Sequence, residues 1–359
     1  TIIAHERMKA FAYITLVDAI AKLLVAFVIL QPRECDKLIM YVCLLFLIQL
    51  TNQLLYFLYC RRSFPETSIT FKFCKGQMLD IYKYIGWSSY GSFATAGFTQ
   101  GLNILLNIFF GPAVNAARGV AVQVYNAILS FSVNSQIAIN PQLIKSVSLN
   151  NFNRSKNLLD IGTRFSFFLL CIIAVPLIGQ TEFILSVWLK NVPEHAVNFV
   201  RIILTIGVIQ SLAFPIRTIN QAEGNIKQFQ IFECSWLLFI VPCSYFFLKL
   251  GCAPESVFFI QLFFEILAQY IRTRLVLYKI NVKSSWYYTK VYLRVVPVLI
   301  ISLPIAIILS ENTQKSMIGF LYSTLIVESF IIVYIYIFGI KKQEKEWLIS
   351  KLKAVYYGR

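Results

Sequence analysis

Residues 88–107 read SSYGSFATAGFTQGLNILLN. Ser88, Ser92, Thr95, Thr99, Asn103 and Asn107 recur at steps of three and four, with Ser89 and Gln100 beside them. At about 100° per residue the six fall within roughly a third of a helix circumference. The next apolar segment repeats the pattern with Asn115, Arg118, Gln123, Asn126, Ser130 and Asn134, over roughly half its circumference. Helices this polar are expensive in lipid unless the stripe meets water or protein. Two in succession imply a wet cavity within a bilayer, and hence movement of a polar solute across it.

The bilayer itself follows from composition. Of 359 residues 58% are hydrophobic and only 14% charged, where a soluble protein carries about a quarter. Mean hydropathy is +0.67. Apolar runs of about 20 residues follow one another with polar breaks, the pattern of a polytopic all-α membrane protein. About ten spans are expected, near 11–30, 38–59, 85–109, 113–139, 164–180, 197–220, 229–249, 255–278, 290–309 and 316–338.

The net charge of +16 would suggest nucleic acid in a soluble chain. Here the basic residues alternate by loop, so no nucleic-acid partner is expected. About 25 Lys and Arg fall on one side of the span pattern and about six on the other. The positive-inside rule then places both ends of the chain in the cytoplasm, as an even number of spans requires. Two basic amphipathic stretches, 69–84 and 341–357, read as helices lying on the cytoplasmic membrane surface. The eight cysteines form no CxxC pair and there are only two histidines, so neither a metal site nor a cofactor is expected.

Pro176, Pro215, Pro242, Pro297 and Pro304 fall within spans, where each removes a backbone hydrogen bond and can bend its helix. A bend at Pro215 would free backbone near Arg217, Asn220 and Gln221. A weak internal repeat pairs Ala4 with Ala222, Lys9 with Lys227 and Phe11 with Phe229. It relates the first and seventh spans, the spacing of a transporter built from six-helix halves.

Several motifs resemble one family. Phe110-Gly111-Pro112 followed by Asn115-Ala116-Ala117-Arg118-Gly119, then Asn140-Pro141-Gln142-Leu143-Ile144-Lys145, Gly224-Asn225-Ile226-Lys227 and Ala4-His5-Glu6-Arg7-Met8, are similar to the polysaccharide-exporting branch of the multidrug/oligosaccharidyl-lipid/polysaccharide (MOP) superfamily. O-antigen and capsule repeat-unit flippases are the nearest kind. The resemblance runs through essentially the whole chain. It implies a two-bundle fold around a central cavity, with about four N-terminal helices absent here. Residues 1–68 would be the last two helices of the first bundle and 69–84 an amphipathic linker. Residues 85–278 would form the second six-helix bundle, 279–338 two additional spans and 339–359 a basic tail.

The implied activity is alternating-access transfer of undecaprenyl-diphosphate-linked oligosaccharide across the bacterial inner membrane. A polysaccharide polymerase and a chain-length regulator are the implied partners. On that reading Arg118 grips the diphosphate, since arginine stays charged when buried and offers a planar fork of donors. Its alternative is snorkelling to the outer interface. Asn115, Asn126, Ser92, Thr95, Thr99, Gln100, Asn103, Asn107, Gln123, Ser130 and Asn134 would contact sugar or hold water, or else hydrogen-bond between helices. Arg217 would line the cytoplasmic mouth or serve topology alone. Asp18 and Lys22, four apart, suit an ion pair or a proton site. Glu233 and Glu265 are further candidates for ion coupling.

Competing functions remain open at this stage. A multidrug cation antiporter of the same superfamily would favour an acidic cavity. A membrane glycan polymerase or ligase would carry catalytic acids or histidines on long loops. The longest loops here are basic, with Glu194-His195 the one histidine–acid neighbour pair in an outer loop, so a non-enzymatic role is expected.

Overall fold

A computed structural model of the chain describes residue 2 and residues 8–30, 36–67, 75–341 and 344–346. Every regular element among these is helical. The helices are α1 (Met8–Leu30), α2 (Lys37–Ser63), α3 (Lys75–Phe110), α4 (Pro112–Ser148), α5 (Phe152–Gly179), α6 (Thr181–Trp188), α7 (Ala196–Ser211), α8 (Phe214–Glu223), α9 (Lys227–Lys249), α10 (Ser256–Leu277), α11 (Ser284–Asn312) and α12 (Met317–Gly339). The motif Ala4–Met8, apart from Met8, and the tail from Trp347 onward lie outside the described residues, as does the segment 69–74.

Seven helices are long and apolar enough to cross a membrane, α1, α2, α3, α5, α9, α11 and α12. The bent pair α7–α8 makes an eighth if it is one span. Large apolar side chains point outward along them: Ile318 is 80% exposed, Phe93 78% and Ile108 70%. Apolar surface on this scale is tolerated against acyl chains, not water. The chain is an all-α, multi-pass membrane protein. The stretches expected as the fourth and eighth spans are also helical, as α4 and α10. Both are too polar to qualify by hydropathy, because they carry the residues that build the cavity below.

Several helices outrun the apolar limits read from sequence. α5 begins at Phe152 rather than 164, α11 at Ser284 rather than 290, and α4 continues through Pro141 to Ser148. Apolar content marks the lipid-buried part of a rod and not its ends. Residues 75–84 are no separate interfacial helix, since α3 runs through them unbroken. Helix ends follow local chemistry. Gly111 takes the left-handed backbone (φ +81°) that separates α3 from α4, and Pro112 starts α4 where its missing N–H costs nothing. Asn151 caps α5 by accepting from the Arg154 N–H at 3.1 Å.

The chain divides into two compact units, Thr1–Met78 and Leu79–Arg359. In the first, α1 and α2 pack antiparallel: Phe11 meets Tyr56 across a 6.5 Å ring separation, and Asn52 donates to Asp18 at 2.5 Å. In the second, α5 is the central post. Two thirds of its most apolar window is buried, 67% against 6% for α1, with Phe167, Leu170, Cys171 and Ala174 sealed inside. It packs against α4, α7, α11 and α12. The two additional spans therefore share one core with the preceding bundle.

Candidate substrate cavity

A cleft of about 840 Å³ opens within the second unit, between α3, α4, α7, α8, α9 and α10. Two backbone breaks shape it. α7 and α8 meet at 44°, with Pro215 in the first turn of α8. The bend carries Arg217, Asn220 and Gln221 to the cleft wall. α9 contains a π-turn over Gln230–Cys234, and wider turns of this kind re-aim side chains at functional sites. Gln230 and Glu233 both face the cleft.

The charges are distributed unevenly. Arg272, with no solvent exposure, donates through Nε to Glu233 at 2.6 Å and through Nη1 to Glu265 at 2.9 Å. Arg217 reaches the same Glu233 oxygen at 2.7 Å. Gln210 donates to Glu265 at 2.6 Å and accepts from the Tyr125 hydroxyl at 2.6 Å. Both carboxylates are thus committed to guanidinium groups.

Arg118 differs. It is 7% exposed and lines the cleft, turned inward rather than toward the outer surface. Its donors go to the Asn103 side-chain oxygen and to the Thr99 carbonyl at 3.2 Å, both neutral. Its Nε has no partner. No carboxylate pairs with it among the described residues. Three guanidiniums therefore meet two carboxylates in this wall, and the unbalanced positive charge sits on Arg118. A buried unpaired cation is costly, and an anion that fills the cleft removes that cost.

Of the expected site residues, Ser92, Thr95, Thr99, Gln100, Arg118, Asn126, Arg217, Glu233 and Glu265 line the cleft. Asn103 stands behind it as the anchor of Arg118 and also donates to Gln100 at 2.8 Å. Asn115 is half-buried, with its side-chain oxygen unpartnered. Asn107, Gln123, Ser130 and Asn134 are exposed on α3 and α4 outside the cleft, and Ser130 is spent on its own helix at Ala127. In the first unit Lys22 meets Asp18 at 2.7 Å as an ion pair that also accepts from Asn52.

Sequence reading missed Gln210 and Tyr125, and it placed Arg272 on the face of Glu265 and Gln269 without giving it a role in the site. His195, just before α7, instead holds Glu255 at 2.6 Å, tying the starts of α7 and α10. No family model, curated protein or solved structure matches the chain.

Proposed function

We propose that this chain belongs to a flippase of the MOP type. It would carry an undecaprenyl-diphosphate-linked oligosaccharide across the bacterial inner membrane by alternating access, for cell-surface polysaccharide synthesis. One observation carries the reading: a buried arginine with no carboxylate partner among the described residues faces a polar cleft inside a membrane bundle. A diphosphate supplies the missing charge, and its oxygens match the guanidinium fork. Ser92, Thr95, Thr99, Gln100 and Asn126 offer the sugar hydroxyls and amides in place of water. In this reading α4 and α10 also cross the membrane, giving ten spans with both chain ends cytoplasmic. The polymerase and chain-length regulator of the same pathway are its partners.

The cation-antiporter reading draws on Glu233 and Glu265 in the cleft wall, yet both acids already hold Arg272. In this proposal they fix the wall rather than carry coupling ions. The test is reconstitution in liposomes with a fluorescent lipid-diphosphate oligosaccharide. The wild type is expected to move it between leaflets, and Arg118→Ala to abolish movement while unfolding at the wild-type temperature. Undiminished flipping by a folded Arg118→Ala protein, or efflux of cationic dyes in place of flipping, would overturn it.

A further inference from the structure

Between Ile266 and Ser310 the sequence holds six basic residues, five tyrosines and no acid. The fold assigns carboxylate partners to two of the six cations among the described residues. Arg272 takes Glu233 and Glu265, and Lys279 takes Glu223, Asn220 and the Asn225 carbonyl. Arg274, Lys283, Lys290 and Arg294 meet no carboxylate among the described residues. Two of these four, Arg274 and Lys283, line a second cleft of about 680 Å³ where α10 ends and α11 begins.

Tyrosines wall this cleft in place of carboxylates. Tyr270 and Tyr288 stack with their planes 14° apart and centroids 6.5 Å apart. The Tyr288 hydroxyl is tied to Thr273. Arg274 lies 5.5 Å from the centre of the Tyr270 ring, and its Nε donates to the Tyr270 hydroxyl at 3.2 Å. That contact steadies the guanidinium while leaving both terminal nitrogens unpaired among the described residues. Ser284 and Ser285 add hydroxyls at the floor. Tyr278 is 60% exposed beside the cleft.

We propose that this cleft binds the headgroup of an anionic phospholipid. A phosphodiester with one net negative charge matches the Arg274 fork and the Lys283 ammonium. Tyrosine rings belong at the depth where headgroup meets acyl chain, and basic pockets between membrane helices hold such headgroups. The site lies apart from the substrate cavity, shares no lining residue with it, and does not depend on what that cavity carries. A soluble anion would use the cations but gain nothing from the exposed tyrosines.

The experiment uses the full chain, purified and placed in nanodiscs or mild detergent. Bound phosphatidylglycerol and phosphatidylcholine are counted by native mass spectrometry. The wild type is expected to retain phosphatidylglycerol preferentially. Near a membrane surface each cation is worth on the order of fivefold in binding, so Arg274→Gln with Lys283→Gln should lower that preference by more than tenfold. Lys190→Gln, an exposed cation away from the cleft, should leave it unchanged. Equal retention by the double variant, equal retention of the two lipids by the wild type, or displacement of the lipid by millimolar inorganic phosphate would each overturn the proposal. A photoactivatable phosphatidylglycerol gives a second reading free of any variant. Its crosslinks to the wild type should map to residues 270–288, and labelling confined to other segments refutes the site.

Discussion

Arg272 donates to Glu233 at 2.6 Å across 39 residues of chain, from a helix position with no solvent exposure. This contact joins α10 to the π-turn of α9, and the same guanidinium holds Glu265. Removing it leaves two buried carboxylates short of positive charge. Breaking a buried pair from one side costs about 3–5 kcal/mol. Arg272→Met is therefore expected to lower the unfolding temperature sharply in detergent. Arg217→Ala should cost much less, because Arg217 is partly exposed and Glu233 keeps Arg272. Thermal unfolding of the two variants side by side checks the order, and a reversed order would contradict the network.

Arg118 gives a prediction about geometry rather than charge. Arg118→Lys keeps a cation at the cleft wall but loses the planar fork that spans the Asn103 oxygen and the Thr99 carbonyl. Flipping is expected to fall by about tenfold, as a loss of about 1.4 kcal/mol in transition-state binding. The loss should be intermediate between wild type and Arg118→Ala. Wild-type rates with lysine would show that charge alone suffices.

The polar rows on α3 and α4 were legible because a period near 3.6 within an apolar run has few other meanings. The periodicity did not say where the wall ends. Gln123, Ser130 and Asn134 keep the spacing yet lie outside the cleft, since a stripe covering half a circumference faces more than one neighbour. Arg118 was legible from its place in the stripe; Arg164 and Arg272 were less so, for a different reason. Arg164 and Arg272 sit at the ends of apolar runs and read as topology charges. Glu344 and Glu233 become visible only when distant segments are brought together, whereas Asp160 lies one turn before Arg164 on α5 itself. An acid one or two turns away on the same helix marks such an arginine in the sequence, but a carboxylate on another helix leaves no local mark.

The segment following α12 is pinned to α5 by charge. Arg164 grips Glu344 with two parallel bonds, Nη2 to Oε1 at 2.6 Å and Nη1 to Oε2 at 2.9 Å, and Lys341 meets Asp160 at 2.5 Å. Burial alone would push the Glu344 carboxyl up. The Arg164 bonds, the Lys341 N–H and the charges of both residues hold it below the usual carboxylate range. A depressed carboxylate contributes its stability above its unfolded value of about 4.3 and loses it as pH falls below that. The contacts of Lys341 and Glu344 with α5 should therefore hold at neutral pH and release in acid, which protease cleavage next to Glu344 would register. Glu344→Gln should be cut readily at neutral pH, with little further change on acidification. Hydrogen exchange of Ile340, Lys341 and residues 344–346 across pH checks this. Equal protection of the variant and the wild type at pH 7 would show that the grip is idle.

Gly207 decides how closely α7 can approach α4. A Cβ placed there would lie 2.7 Å from Cε2 of the Tyr125 ring. That ring carries the hydroxyl that orders Gln210 against Glu265. Alanine improves helix propensity by about 1 kcal/mol, whereas overpacking costs about 1–3 kcal/mol. The second effect should win, so Gly207→Ala is expected to destabilise the protein by about 1 kcal/mol. The mechanism has its own check. If the added methyl displaces Tyr125, the hydroxyl bond is already lost. Tyr125→Phe should then cost about 1 kcal/mol in the wild type and close to nothing in the Gly207→Ala background. Additive losses in that double-mutant cycle would mean the ring stays in place and the close approach is relieved elsewhere.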